Sequence, residues 1–178
     1  MNKTLILMVG IPGSGKSTFA TKLYMRNIKD GHSCEIISRD KIRFALIQND
    51  EDYFAHEDDV WKNYVNQAAN SLRANELTIL DATHLNGASR KKIINAIKKI
   101  YWDKDIELEA VVLDENVLTC LDRNEERIGR AYVPENVIWN MNCQLTVPSK
   151  EEKFNKVIFV NWNEEKQDYD WNVEYENE

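Results

Sequence analysis

An α/β fold, with a mostly parallel sheet of about five strands flanked by helices, is predicted by three observations. Short apolar runs alternate with helix-period segments along most of the chain. The first run, residues 5–9, opens directly into a glycine-rich loop followed by a helix-like segment. The second run, 34–37, delivers Ser38-Arg39-Asp40 to the kind of sheet edge where ligands collect in open α/β folds, and a later run, 77–80, ends on Asp81. With 178 residues, 43% hydrophobic and 30% charged, the chain suits one globular domain with a sizeable core.

Residues 5–9 read as the first strand, and 14–28 as a helix that stops near Gly31. A short strand at 34–37 and a short helix at 39–47 come next. Between Phe54 and Asn75, Val60, Trp61, Tyr64, Val65, Ala68, Ala69 and Leu72 form one stripe of an amphipathic helix. The strand 77–80 follows. Asn86 suits the N-cap of a helix whose Ile93, Ile94, Ile97, Ile100 and Tyr101 share a face. Residues 106–113 form another strand, after which Asp114 is expected to cap a helix through Leu121. Pro134 suits the first turn of a last helix, with Val137, Ile138, Met141 and Leu145 facing inward. Residues 157–160 close the sheet. The expected division is a domain over 1–160 and an acidic tail over 161–178, without internal repeat or linker. That tail lacks a clean period and is either disordered or anchored by Trp162, Tyr169, Trp171 and Tyr175.

No apolar run approaches the ~20 residues of a membrane span. The N-terminal run resembles a signal segment but is short and leads into the glycine loop, so a buried strand is expected. Cys34, Cys120 and Cys143 are odd in number and far apart, which points to reduced, largely buried thiols and a cytoplasmic compartment. His32, His56 and His84 are scattered, form no metal cluster, and are expected to be structural or exposed.

A net charge of −7 looks wrong for a protein that handles a polyanion. Yet 161–178 alone carries seven acids against Lys166, and 50–59 carries six more with no base. The remaining body is basic by about five charges, so nucleic acid is not excluded.

Gly10 to Ser17 matches G-x-x-x-x-G-K-S/T, the P-loop pattern. Its glycines let backbone N–H groups approach a phosphate, and the following helix points its positive end at the same anion. Lys16 would neutralise β/γ-phosphates, and the Ser17 hydroxyl would bind Mg2+. The expected nucleotide contacts are Gly10, Pro12, Gly13, Ser14, Gly15, Lys16, Ser17 and Thr18, for ATP or another NTP.

The loop alone does not name a reaction. A D-x-x-G switch is absent, Asn155-Lys156-Val157-Ile158 lacks the aspartate of a guanine reader, and Asp81 lacks the second acid of an ATPase motor. A small P-loop kinase fits better. Asp40 and Arg43, three apart, would sit together on one helix face. A carboxylate to take a hydroxyl proton beside a guanidinium to grip a phosphate makes an acceptor site, although Asp40 could instead cap the helix. Arg123, Arg127 and Arg130, around Gly129, read as a mobile basic lid, or else as a solvated helix end pairing with Glu125 and Glu126.

Together, the Gly-x-Pro-Gly-Ser-Gly-Lys-Ser-Thr loop, Arg39-Asp40-x-x-Arg43, Asp81-Ala82-Thr83 and Arg123-Asn124-x-x-Arg127 with Val133-Pro134 resemble the bacteriophage polynucleotide 5′-hydroxyl kinase family. The resemblance spans about residues 4–160. It implies that Asp40 is the general base on a 5′-hydroxyl and that Arg43 holds the next phosphate of DNA or RNA. Asp81 would be a supporting carboxylate and Arg127 the lid arginine, with Arg130 the alternative. A role in nucleic-acid repair follows from the same resemblance. Small-molecule kinases share these features, and a nucleotide-dependent binding switch is a further alternative. Arg39, Lys41, Arg43 and the run Arg90, Lys91, Lys92, Lys98, Lys99 could line a nucleic-acid path, or the run could be a solvated face. The acidic tail could compete with nucleic acid at a basic entrance, or only confer solubility. No membrane partner is expected, and an oligomer remains open.

Overall fold

The computed structural model describes residues 3–47, 55–103 and 106–176. Its strands are β1 (Lys3–Val9), β2 (Cys34–Ser38), β3 (Leu77–Asp81), β4 (Ile106–Leu113), β5 (Lys156–Asn163) and β6 (Asp168–Glu176). The α-helices are α1 (Lys16–Lys29), α2 (Arg39–Leu46), α3 (Glu57–Ala74), α4 (Gly87–Ile100), α5 (Val117–Glu125) and α6 (Glu135–Gln144). The strands form one sheet in the order β2-β3-β1-β4-β5-β6. The first five pair in parallel, and β6 returns antiparallel to β5.

The central strand explains the layering. Side chains alternate across a strand, so Leu5, Leu7 and Val9 join the core beneath α3 and α4. Ile6 and Met8 point the other way and pack with Phe19 and Ala20 of α1. With helices on both faces, the buried stretch of β1, residues 5–9, must be apolar, which is why it reads as an unbroken hydrophobic run. On α3, Val60, Tyr64, Val65, Ala68, Ala69 and Leu72 are buried at helical spacing, while Trp61 is only partly covered. The expected start of this helix at Phe54 lies outside the described residues.

Several expectations change. The helix after β4 is capped by Asn116, whose side chain accepts from Leu118 N, and not by Asp114. Pro134 is itself the N-cap of α6, on which only Ile138 is fully buried. Ile100 is largely exposed because α4 ends there and its last turn clears the sheet. Cys34 and Cys120 are buried, but Cys143 is exposed on α6.

The largest difference concerns the acidic segment. The sheet has six strands, because the boundary drawn at residue 160 falls inside β5 and the chain returns as β6. Tyr169 and Trp171, two apart on one strand face, both meet the Phe19 ring edge-on at 5.1 and 6.0 Å. Trp162 faces Tyr169 across the ladder, their rings 5.1 Å apart. The acids sit on an edge strand, where charge discourages pairing with other chains. Asp168 pairs with Lys22, and Asp170 with Lys166 at 2.6 Å. Because β6 lies at the opposite edge from β2, it does not cover the Asp40 side of the sheet, and the competition idea loses its geometric basis.

Behind the first strand lies a buried polar network. His84 Nδ1 donates to the Met8 carbonyl at 2.7 Å, which leaves Nε2 to accept from Tyr64 Oη at 3.2 Å. Arg90 is fully buried. It grips Glu152 with two bonds of 2.7 Å and also donates to the carbonyls of His84 and Thr146. Arg90 therefore leaves the proposed nucleic-acid path and serves as an internal clamp, while Lys91 and Lys92 remain exposed.

Burial, only partly offset by the Met8 bond, pushes the His84 pKa down to about 4 from 6.5. The neutral ring is thus favoured by folding. Its contribution is complete above about pH 6.5 and is lost as pH falls toward 4, amounting to about 3 kcal/mol. In His84→Gln, the stability–pH curve from urea melts should be flatter across that window. Glu57 and Glu152, whose pKa values are lowered from 4.5, act at lower pH.

Candidate active site

The loop after β1 turns on three left-handed or extended glycines. Gly13 and Gly15 have φ of 86° and 93°, a region side-chain-bearing residues rarely adopt. Gly13 also lies against α5. A Cβ there would stand 2.3 Å from the Cys120 carbonyl oxygen, so both conformation and contact demand glycine.

Lys16 is buried, and its Nζ donates to the Ile11 carbonyl at 2.6 Å. Burial draws its pKa down to about 8, despite the favourable charge of Asp81. Arg127 adds to the lowering, and Asp40 opposes it, so all three groups lie within electrostatic reach of the ammonium. Ser14 Oγ is buried without a hydrogen-bond partner among the described residues. A buried cation, an orphaned hydroxyl and an exposed helix N-terminus together suit a phosphate chain.

Ser17 Oγ donates to Asp81 Oδ2 at 2.8 Å, joining the start of α1 to the end of β3. A hydroxyl and a carboxylate side by side are oxygen donors of the hard kind that would suit Mg2+. Among the described residues there is no cluster of three or more acidic, His or Cys side chains that could hold a metal ion.

At the end of β2, the side chain of Ser38 accepts from Lys41 N and caps α2. The cap is therefore Ser38, and Asp40 is not needed for it. Asp40 is exposed, and its Oδ1 accepts from Arg43 Nη1 at 2.8 Å. Arg43 is buried, and its Nη2 donates to Glu57 Oε2 at 2.7 Å. Glu57 also pairs with Arg39. Burial opposes the Glu57 charge, but its bond to Arg43 and the charge of Arg39 outweigh that and hold its carboxyl below its usual range. Sequence reasoning had counted Glu57 only as part of an acidic knot. Its position as the first residue of α3, in the favourable first turn, was the available signal.

The lid arginines separate. Arg123 pairs with Glu115 at 3.0 Å, not with Glu125 or Glu126, and donates to the Gly13 carbonyl at 3.3 Å. Arg127 is exposed and donates to the Ala131 carbonyl at 3.3 Å. Arg130 donates to the Ile47 carbonyl at 3.3 Å and so ties the lid to the end of α2. The buried Asn124 clasps the lid base through two bonds with Val133, of 2.8 and 3.0 Å. The Tyr169 hydroxyl of β6 would stand 3.3 Å from a Cβ at Gly15, so the C-terminal hairpin borders the loop. Neither Asn124 nor Tyr169 was anticipated there. Pro12 lies partly buried in the same turn.

The family model described as an AAA domain matches residues 5–148. The chain belongs to that family. Its fold is similar to a chain of the Pnkp1/Rnl/Hen1 RNA repair complex, at 22% identity and a TM-score of 0.66. That match covers 99% of this chain and 50% of the other, so this AAA-domain chain spans half its length. Kti12 from Chaetomium thermophilum, in complex with ADP-AlF3, matches at 18% identity and a TM-score of 0.65, over 92% of this chain and 93% of that one. The Mycobacterium tuberculosis APS kinase CysC, in complex with AMPPNP and APS, matches at 18% and 0.56, over 70% of each chain. The fold is that of a P-loop kinase, with a mostly parallel sheet of six strands. No helix among the described residues is long and apolar enough to cross a membrane.

Gly13→Ala should lower stability by about 1–3 kcal/mol and weaken ADP binding, read by denaturant midpoint and titration. Because Lys16 titrates near 8 in the free protein, an anion beside it draws a proton onto the amine. ADP binding at about pH 9 should take up protons, seen as a binding enthalpy that varies with the buffer's ionisation enthalpy. Lys16→Met should remove that uptake.

Proposed function

We propose that this domain is an ATP-dependent kinase that transfers the γ-phosphate to the 5′-hydroxyl end of DNA or RNA. The observation that carries this reading is the Arg43 site. A buried guanidinium is held between Glu57 and the exposed Asp40, with Asp40 in electrostatic reach of Lys16. A fixed guanidinium beside an accessible carboxylate suits an alcohol whose neighbouring group is a phosphate. The likeness to an RNA repair complex chain supports a nucleic-acid acceptor and a role in repair.

In this reading Asp40 accepts the proton of the 5′-hydroxyl as its oxygen bonds to the γ-phosphorus, and the bond to the β–γ bridging oxygen breaks. Arg43 grips the phosphate that follows the terminal nucleoside. Gly10 to Thr18 cradle the donor phosphates, and Lys16 neutralises them. Arg127 is the lid arginine for the transferring group, since it already acts on the Lys16 charge, whereas Arg130 is engaged at Ile47. Arg123 borders the cradle at Gly13. Ser17 and Asp81 would hold Mg2+, which would supply charge neutralisation on the donor phosphates.

The likeness to an APS kinase supports a small-molecule acceptor as the competing reading. Offering γ-labelled ATP with 5′-hydroxyl DNA, 5′-hydroxyl RNA, nucleosides and sugars in parallel separates the two. Transfer to nucleosides or sugars but to no polynucleotide would overturn the proposal. Asp40→Asn should lower kcat by about 10²–10⁴-fold while leaving the ADP Kd nearly unchanged. Glu57→Gln should act mainly on the acceptor KM, because it removes one of the charges that hold Arg43 without touching the cradle.

A further inference from the structure

Glu57 opens α3, and Trp61 lies one turn later on the same side of that helix. The Arg39 guanidinium, paired with Glu57, lies over the Trp61 ring at 5.7 Å from its centroid. From α4, the Lys92 ammonium lies over the same ring at 4.6 Å. Two cations from separate elements thus converge on one indole, in direct continuity with Arg43 through Glu57. Like charges repel, and the attraction of an aromatic face is about 0.5–1 kcal/mol at exposed sites. Arg39 Nε is buried and makes no hydrogen bond among the described residues. Lys92 is exposed on α4 and makes no ion pair among the described residues. Among the described residues, Asp40 and Glu57 are the acids paired with Arg43 and Arg39, and Asp58 and Asp59 follow Glu57 in the first turn of α3. Among the described residues, Lys92 therefore has no ion-pair partner and Arg39 Nε no hydrogen bond beside the Trp61 ring.

We propose that Arg39 and Lys92, held by the Trp61 ring, form a second acceptor subsite that takes a phosphodiester beyond the one gripped by Arg43. This rests on the polynucleotide reading and extends it. The site then favours a strand over a single nucleotide, because only a strand carries a second phosphate to this position. Trp61 acts as a positioning residue, and the binding groups are the two cations.

The test compares a nucleoside 3′-monophosphate with a 5′-hydroxyl hexanucleotide as acceptors for the wild-type chain, Lys92→Ala, Lys92→Arg and Lys91→Ala. Lys91 is an exposed neighbour on the same helix, so its loss matches the change in net charge. Lys92→Ala should leave kcat/KM for the monophosphate unchanged and lower that for the hexanucleotide by about tenfold at low salt, with a log–log salt slope shallower by about 0.7. Lys92→Arg should restore the hexanucleotide rate, and Lys91→Ala should behave as wild type. Equal loss on both acceptors, no loss on either, or the same loss from Lys91→Ala would overturn the subsite. A wild-type chain that phosphorylates neither acceptor would instead defeat the polynucleotide reading, and the subsite with it.

Discussion

An ammonium held inside the protein, that of Lys16, is the constraint around which the rest of this structure is arranged. Burial works against its charge, and the Ile11 carbonyl offers only a neutral partner. The protein supplies Asp81 from β3 and Asp40 from α2 as nearby negative charge, and Arg127 from the lid works in the opposite sense. Such a balance is restored by a phosphate chain, which is why a cradle of this kind binds anions tightly and selectively. Ser17 and Asp81, beside the same cradle, are joined by a bond that fixes β3 against α1.

The donor half has a stiff back. Gly10 N bonds the Thr83 carbonyl, His84 holds the Met8 carbonyl, and Arg90 holds the His84 carbonyl and Glu152. These bonds are buried and mutually dependent, so the strand end that launches the loop has little freedom. The lid differs. Asn124 clasps its base, but beyond it Ile128 is 91% exposed, and Arg127 and Arg130 donate to the backbone carbonyls of Ala131 and Ile47. A rigid cradle under a loosely held lid fits a reaction that must admit and then enclose its substrates.

Charge is segregated in the same way. The overall negative charge of the chain resides largely on the β6 edge and at the start of α3, where acids pair with Lys22, Lys166, Arg39 and Arg43. The cations nearest the sheet's ligand edge are instead aimed inward or set on aromatic rings. Beyond about 8–10 Å, salt screens the acids of the β6 edge, so cations on the far side of the sheet can act locally on an acidic protein.

The sequence by itself determined the features that depend on neighbouring residues. The glycines and Lys16 specify the cradle, the apolar runs specify five of the strands, and the Asp40–Arg43 spacing specifies a shared helix face. Each is a local rule of backbone geometry or periodicity. Three features escaped it because they depend on pairs far apart in the chain. Glu57 gains its meaning from Arg43 and Arg39, Arg90 from Glu152, and β6 from Phe19 and the open edge of β5. A charged residue reads as solvated until its partner is known, and an edge strand reads as a tail until the edge it covers is in place. Only tertiary packing decided those, because burial, not composition, makes a charge structural.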